Sequence, residues 1–122
     1  MSLPILLVDD NPDACATAAK LLWACGYQTD VAYDGPSALH LVDQKPYALA
    51  IIDYQLPGLN GVELFRCMRQ LRPNLAGIFL TGFTTADVMQ SAAEAGIAQV
   101  VPKPVDFGEL IPLLEEYVGL PA

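Results

Sequence analysis

Apolar positions in this chain follow two alternating patterns. Short unbroken runs (Ile5–Val8, Ala48–Ile52 and Ala76–Leu80) have no polar face and predict strands buried on both sides of a sheet. Between them, apolar residues recur at three- and four-residue spacing, which predicts helices with one inward face. After the first run, over residues 4–8, Asn11 fits an N-cap and Pro12 the first helical position. Ala14, Ala18, Leu21, Leu22 and Cys25 then form the expected inward stripe, and Gly26 stops the helix. Residues 27–32 have mixed polarity, as an edge strand would. Asp34-Gly35-Pro36 leads into a helix over 36–44 with Ala38, Leu39 and Val42 inward.

The second half repeats the alternation. A strand over 48–52 ends in Asp53 and the turn residues Pro57, Gly58, Asn60 and Gly61. A helix over 61–71 carries Val62, Leu64, Phe65, Met68 and Leu71, and closes before Pro73. Residues 76–80 form the fourth strand. Thr84 or Thr85 caps a helix running to Ala95, with Gly96 as its stop. The fifth strand spans 97–101. The last helix, over about 106–118, turns Leu110, Leu113, Leu114 and Val118 inward, with Pro112 expected to delay its start or bend it. Strict strand–helix alternation implies an α/β domain: a doubly wound parallel sheet with helices on both faces. By analogy with such folds the expected strand order is 2-1-3-4-5, in one domain over residues 1–122.

Composition narrows the function classes. Of 122 residues, 53% are hydrophobic, enough for a core. Fourteen acids against six bases give a net charge of −8, which argues against direct nucleic-acid binding. No apolar run approaches a membrane span and no leader precedes the first strand, so a cytoplasmic protein with no membrane partner is expected. Cys15, Cys25 and Cys67 make no C-x-x-C and read as reduced, mostly packing residues. His40 has no partner at ligand spacing and reads as a surface residue.

The chemistry gathers where the strands end. The first strand leads to Asp9 and Asp10, the third to Asp53, the fourth to Thr81 and the fifth to Lys103. In open α/β sheets the binding crevice lies at that carboxyl edge. Converging carboxylates repel one another, and a hard cation relieves the repulsion. Oxygen donors without a Cys/His set suit Mg²⁺ rather than zinc. Adding the Thr81 hydroxyl and the Lys103 ammonium makes a set suited to phosphoryl chemistry, with Asp53 the candidate nucleophile.

Asp9-Asp10, Asp53 within D-Y-Q-L-P-G-L-N-G, Thr81-Gly82 and Lys103-Pro104 together resemble the receiver domain of two-component response regulators, in order and spacing along the whole chain. The resemblance implies a flavodoxin-like (βα)5 sandwich that is phosphorylated rather than an enzyme with turnover. Asp53 would accept a phosphoryl group from a histidine kinase or a histidine phosphotransfer protein. Mg²⁺ would be bound by Asp10, Asp53 and the main-chain carbonyl of Gln55, with Asp9 acting largely through water. Thr81 and Lys103 would contact phosphoryl oxygens, and Pro104 would follow a cis bond. Gln55 and Phe83, two residues past Asp53 and Thr81, would flank the approach of hydrolytic water. A homodimer partner or effector would use the face made by the fourth helix, fifth strand and fifth helix.

Two positions depart from the family pattern. Val100 stands where receivers usually carry Tyr or Phe, and Val105 where Phe is frequent. Val100 is too short for an aromatic switch, so readout is expected at the loop after Thr81. Two other classes stay open. One is an aspartyl-phosphate hydrolase of the haloacid dehalogenase type, although the first strand ends D-D-N-P-D rather than D-x-D. The other is a non-phosphorylated adaptor of the same fold. The chain reads either as a stand-alone receiver or as one belonging to a longer regulator or hybrid kinase.

Overall fold

The computed structural model describes residues 3–56, 58–82 and 85–119, with only the backbone of Leu59. Five parallel strands, β1 (Ile5–Val8), β2 (Thr29–Ala32), β3 (Leu49–Asp53), β4 (Ala76–Thr81) and β5 (Gln99–Pro102), form one sheet in the order β2-β1-β3-β4-β5. The helices are α1 (Pro12–Ala24), α2 (Gly35–Gln44), α3 (Gly61–Leu71), α4 (Ala86–Ala95) and α5 (Phe107–Tyr117). The expected alternation and strand order are both present. One element was not anticipated. The turn residues after β3 also form a two-residue antiparallel ribbon, pairing Gln55 with Asn60 and Leu56 with Leu59.

The continuous apolar strands are explained by two separate cores. Leu6, Val8, Ala50, Ile52 and Phe79 face α2, α3 and α4 through Val42, Phe65, Met68 and Ala92. The alternate positions Ile5, Leu7, Leu49, Ile51, Ile78 and Leu80 face α1 and α5 through Cys15, Leu22, Leu110 and Leu114. Because side chains alternate across a strand, each run must be apolar throughout to serve both. Gly77 in β4 is where the first core leaves no room for a side chain. A Cβ there would overlap the Phe65 ring and come within 2.9 Å of Ile97 Cδ1.

Helix starts follow the capping residues. Asn11 Oδ1 accepts from the Asp13 and Ala14 amides, Asp34 caps α2, Asn60 caps α3, and Thr85 caps α4. Several expectations need correction. In α1, Ala14, Leu21 and Cys25 are exposed, and burial falls on Cys15 and Leu22. The helix touches the sheet along a narrower stripe than its composition suggested, since small residues supply much of it. Leu71 is likewise exposed at the end of α3, and Cys67 lies on that helix's outer side, so only Cys15 is a packing cysteine. α5 does not start late. Pro112 sits within it on the exposed side, withholding the amide that would have reached the Gly108 carbonyl.

The β2 edge is covered locally. The Gln28 and Ala32 carbonyls accept the Ile5 and Asp9 amides, in and just after β1, so the intervening Thr29 carbonyl points away from the sheet. It accepts the Trp23 indole N–H at 3.1 Å. At the start of β2, Asp30 accepts from the Tyr47 hydroxyl at 2.6 Å and pairs with Lys45 at 2.6 Å. No helix among the described residues is long and apolar enough to cross a membrane.

Candidate functional site

Parallel pairing in register brings the ends of β1, β3 and β4 to one edge: Val8 lies beside Ile52, and Asp53 beside Leu80. The next residue after β1 is Asp9, and β4 ends in Thr81. This local geometry gathers Asp9, Asp10 and Asp53, whose carboxylate oxygens lie within 4.8 Å of one another. Asp9, Asp53 and Thr81 are 7%, 6% and 1% exposed, so two acids and a hydroxyl are held largely out of water; Asp10 is exposed.

Each buried acid is oriented by a main-chain amide two residues ahead. The Asn11 N–H donates to Asp9 Oδ1 at 3.0 Å, and the Gln55 N–H donates to Asp53 Oδ1 at 3.1 Å. The second oxygen of Asp53 accepts from Lys103 Nζ at 2.8 Å. Lys103 reaches it from the loop after β5, where its own amide donates to the Thr81 carbonyl and its bond to Pro104 is cis. Burial pushes the Asp9 carboxyl above its usual range. The Asn11 amide pulls it back, and the neighbouring Asp53 charge pushes it up again. Cys15 lies beneath, its thiol donating to the Asp9 carbonyl at 3.2 Å. Burial first, and the Asp9 charge second, raise that thiol to about 11.

Asp9, Asp10, Asp53, Thr81 and Lys103 therefore share one edge, as their strand-end positions implied, and Gln55, expected there through the resemblance, donates its amide to Asp53 at the same edge. Gln55 begins the short ribbon with its side chain exposed. Val100 is half-buried in β5, in register beside Phe79, whose ring meets Tyr54 edge-on at 5.5 Å. Phe83 lies outside the described residues. The Cys15 thiol bond was not foreseen. The helical pattern put Cys15 one turn past the cap, but only the packing of α1 on β1 turns it toward Asp9.

The donor set fits a hard divalent cation. Three carboxylates offer oxygen only, at a spacing one ion can bridge, and no His or Cys joins them among the described residues. The adjacent ammonium supplies part of the neutralising charge, and two buried acids make further positive charge favourable.

The family model for the response regulator receiver domain matches residues 5–115. Sporulation initiation phosphotransferase F of Bacillus subtilis is 29% identical over 98% of this chain and 97% of its own length. The transcriptional regulatory protein ZraR of Salmonella typhimurium is 30% identical over 93% of this chain, which spans only 26% of that relative. A receiver domain protein (CheY-like) from Methanospirillum hungatei superposes with a TM-score of 0.89 at 27% identity, covering 95% of this chain and 93% of the other. The receiver domain of sensor histidine kinase PA1611 from Pseudomonas aeruginosa has a TM-score of 0.85 at 26% identity, over 98% and 99% of the two chains. That structure carries a magnesium ion coordinated in its active-site cleft.

Proposed function

This chain belongs to the response regulator receiver family, and from that premise we propose that Asp53 accepts a phosphoryl group from the phosphohistidine of a histidine kinase or phosphotransfer protein. An Asp53 oxygen attacks phosphorus, the phosphorus–nitrogen bond breaks, and the imidazole leaves with a proton. Asp10, Asp53 and the Gln55 carbonyl, with Asp9 through water, would hold Mg²⁺, which supplies charge neutralisation at the phosphoryl oxygens. Lys103 and Thr81 are the chain's own donors to those oxygens. The observation that carries the reading is the 2.8 Å contact of Lys103 with the buried Asp53 carboxylate, inside a cluster of acids. A cation already placed on the nucleophile's oxygen lies where charge must be neutralised once that oxygen carries phosphate.

The domain acts as a regulatory acceptor working in the cytoplasm, and its output passes to a partner protein. With Val100 in place of an aromatic, readout runs through Thr81 and the loop that follows it. Incubation with acetyl phosphate and Mg²⁺, followed by intact mass, should show one acid-labile phosphoryl group per chain and no continuing release of phosphate. Asp53→Asn should abolish it, and Asp10→Asn should sharply weaken Mg²⁺ binding. Undiminished labelling of Asp53→Asn would overturn the assignment, and steady turnover of phosphate monoesters would favour the hydrolase alternative.

A further inference from the structure

Beside the acidic edge, between α1 and the loop leading into α5, lies a cavity of about 440 Å³. Its floor is Leu7 and Leu80, buried side chains of the sheet itself, and its mouth is open to solvent. It exists because α1 presents small side chains, Ala14, Thr17 and Ala18, to it below Asp13, while the opposite wall is Pro104, Val105 and Phe107. This size lies within the range of small-molecule sites, and the largely apolar lining suits a ring. Polar groups line it only from Thr17, Asp9, Asp13 and Lys103.

Charge at this rim selects the ligand. Lys103 is engaged by Asp53, and Asp9 belongs to the three-acid cluster. Asp13, in the first turn of α1, is outside that cluster, and no cation pairs with its carboxylate among the described residues. With the cluster neutralised by Lys103 and a divalent ion, Asp13 still gives the rim a negative sign. We propose that this cavity is a binding site for a small amphipathic cation, an aromatic or aliphatic ring bearing an ammonium group. The ring lies on Leu7 and Leu80 between Ala18 and Phe107, and the ammonium faces Asp13. Lys103 and Pro104 are shared with the acidic edge, so an occupant bears directly on the loop that positions the lysine.

Tryptamine is a suitable probe, with indole-3-propionate as the same ring carrying the opposite charge. Titration of the Mg²⁺-loaded protein, followed by amide chemical shifts, should give saturable changes confined to residues 13–18 and 104–107. Binding should lie in the millimolar range for tryptamine and be at least fivefold weaker for indole-3-propionate. Asp13→Asn should narrow that difference to less than twofold. Ala18→Leu, which fills the cavity, should abolish the changes while Mg²⁺ affinity is retained. If Ala18→Leu does not fold, Thr17→Leu, at an exposed position, makes the same test. Equal binding of the two probes, shifts centred elsewhere, changes that survive the filled cavity, or no saturable binding at millimolar tryptamine would each overturn the proposal. Scattered, non-saturating shifts over the outer surface would likewise overturn it.

Discussion

Replacing Lys103 by Met removes one charge and keeps most of the apolar stem. The consequence can be worked from distances. Carboxylate oxygens up to 4.8 Å apart repel by at least about 3.5 kcal/mol per pair at an effective dielectric of about 20. At 2.8 Å, the Lys103–Asp53 attraction offsets about 6 kcal/mol on the same scale. These are gross values, and Lys103 is 36% exposed, so water screens the attraction and solvates the acids once the lysine is gone. The net cost to the metal-free protein should fall between surface and buried ion pairs, at about 1–3 kcal/mol. At the proposed metal site the same ammonium would compete with a divalent cation for Asp53. Its removal should therefore tighten Mg²⁺ binding by about tenfold, adding about 1.4 kcal/mol to the stabilisation saturating Mg²⁺ provides. Urea unfolding of both proteins, in chelator and in saturating Mg²⁺, measures the two effects separately. If Lys103→Met matches the parent in chelator and gains no more than the parent from Mg²⁺, the acids are not held together by this pair.

Other outcomes follow from the packing and titration of particular side chains. Gly77→Ala should destabilise by about 1–3 kcal/mol, because Phe65 and Ile97 close on the new methyl from a filled core; urea midpoints test this. Thiol titration should count two reactive cysteines in the native protein, Cys25 and Cys67, and three in denaturant. With its pKa raised to about 11, Cys15 is thiolate at only ~10⁻⁴ of molecules at neutral pH, besides being buried. Burial, and then the bond to Asp30, raise the Tyr47 pKa above its ordinary 10.0. The neutral phenol therefore stabilises the fold fully below that value, and the contribution is lost as pH climbs beyond it. Tyr47→Phe should cost about 1 kcal/mol at neutral pH and flatten the alkaline loss of stability.

The layout of the site was legible because strand ends are marked twice, by the loss of apolar character and by the group that follows. Asp9, Asp53 and Thr81 each stand just past a buried run or at its end, and Lys103 just past the half-exposed edge strand β5, so placing the strands placed the residues. The Lys103–Pro104 cis bond came through resemblance, since nothing in the local sequence distinguishes it from another X-Pro bond. Burial along α1 was read less well. Leu21 looks inward by periodicity yet is exposed, because a helix at the flank of a sheet covers only part of its own circumference. The ribbon at Gln55–Asn60 was hidden for another reason: it is made of the residues that signal a turn. The Asp9–Cys15 bond depends on how α1 packs on β1, and the cavity beside it on the gap between α1 and the loop leading into α5; a single sequence encodes neither locally.

Trp23 bears on how this molecule can be watched and how it keeps to itself. An outer strand with open carbonyls is a template on which another chain can add itself, and the indole occupies one such acceptor on β2. As Trp23 is the sole tryptophan, the tryptophan emission of the protein originates at that flank, away from the three-acid cluster. A fluorescence change there would register lifting of the ring and exposure of the strand, an early step toward strand-to-strand association, rather than events at Asp53.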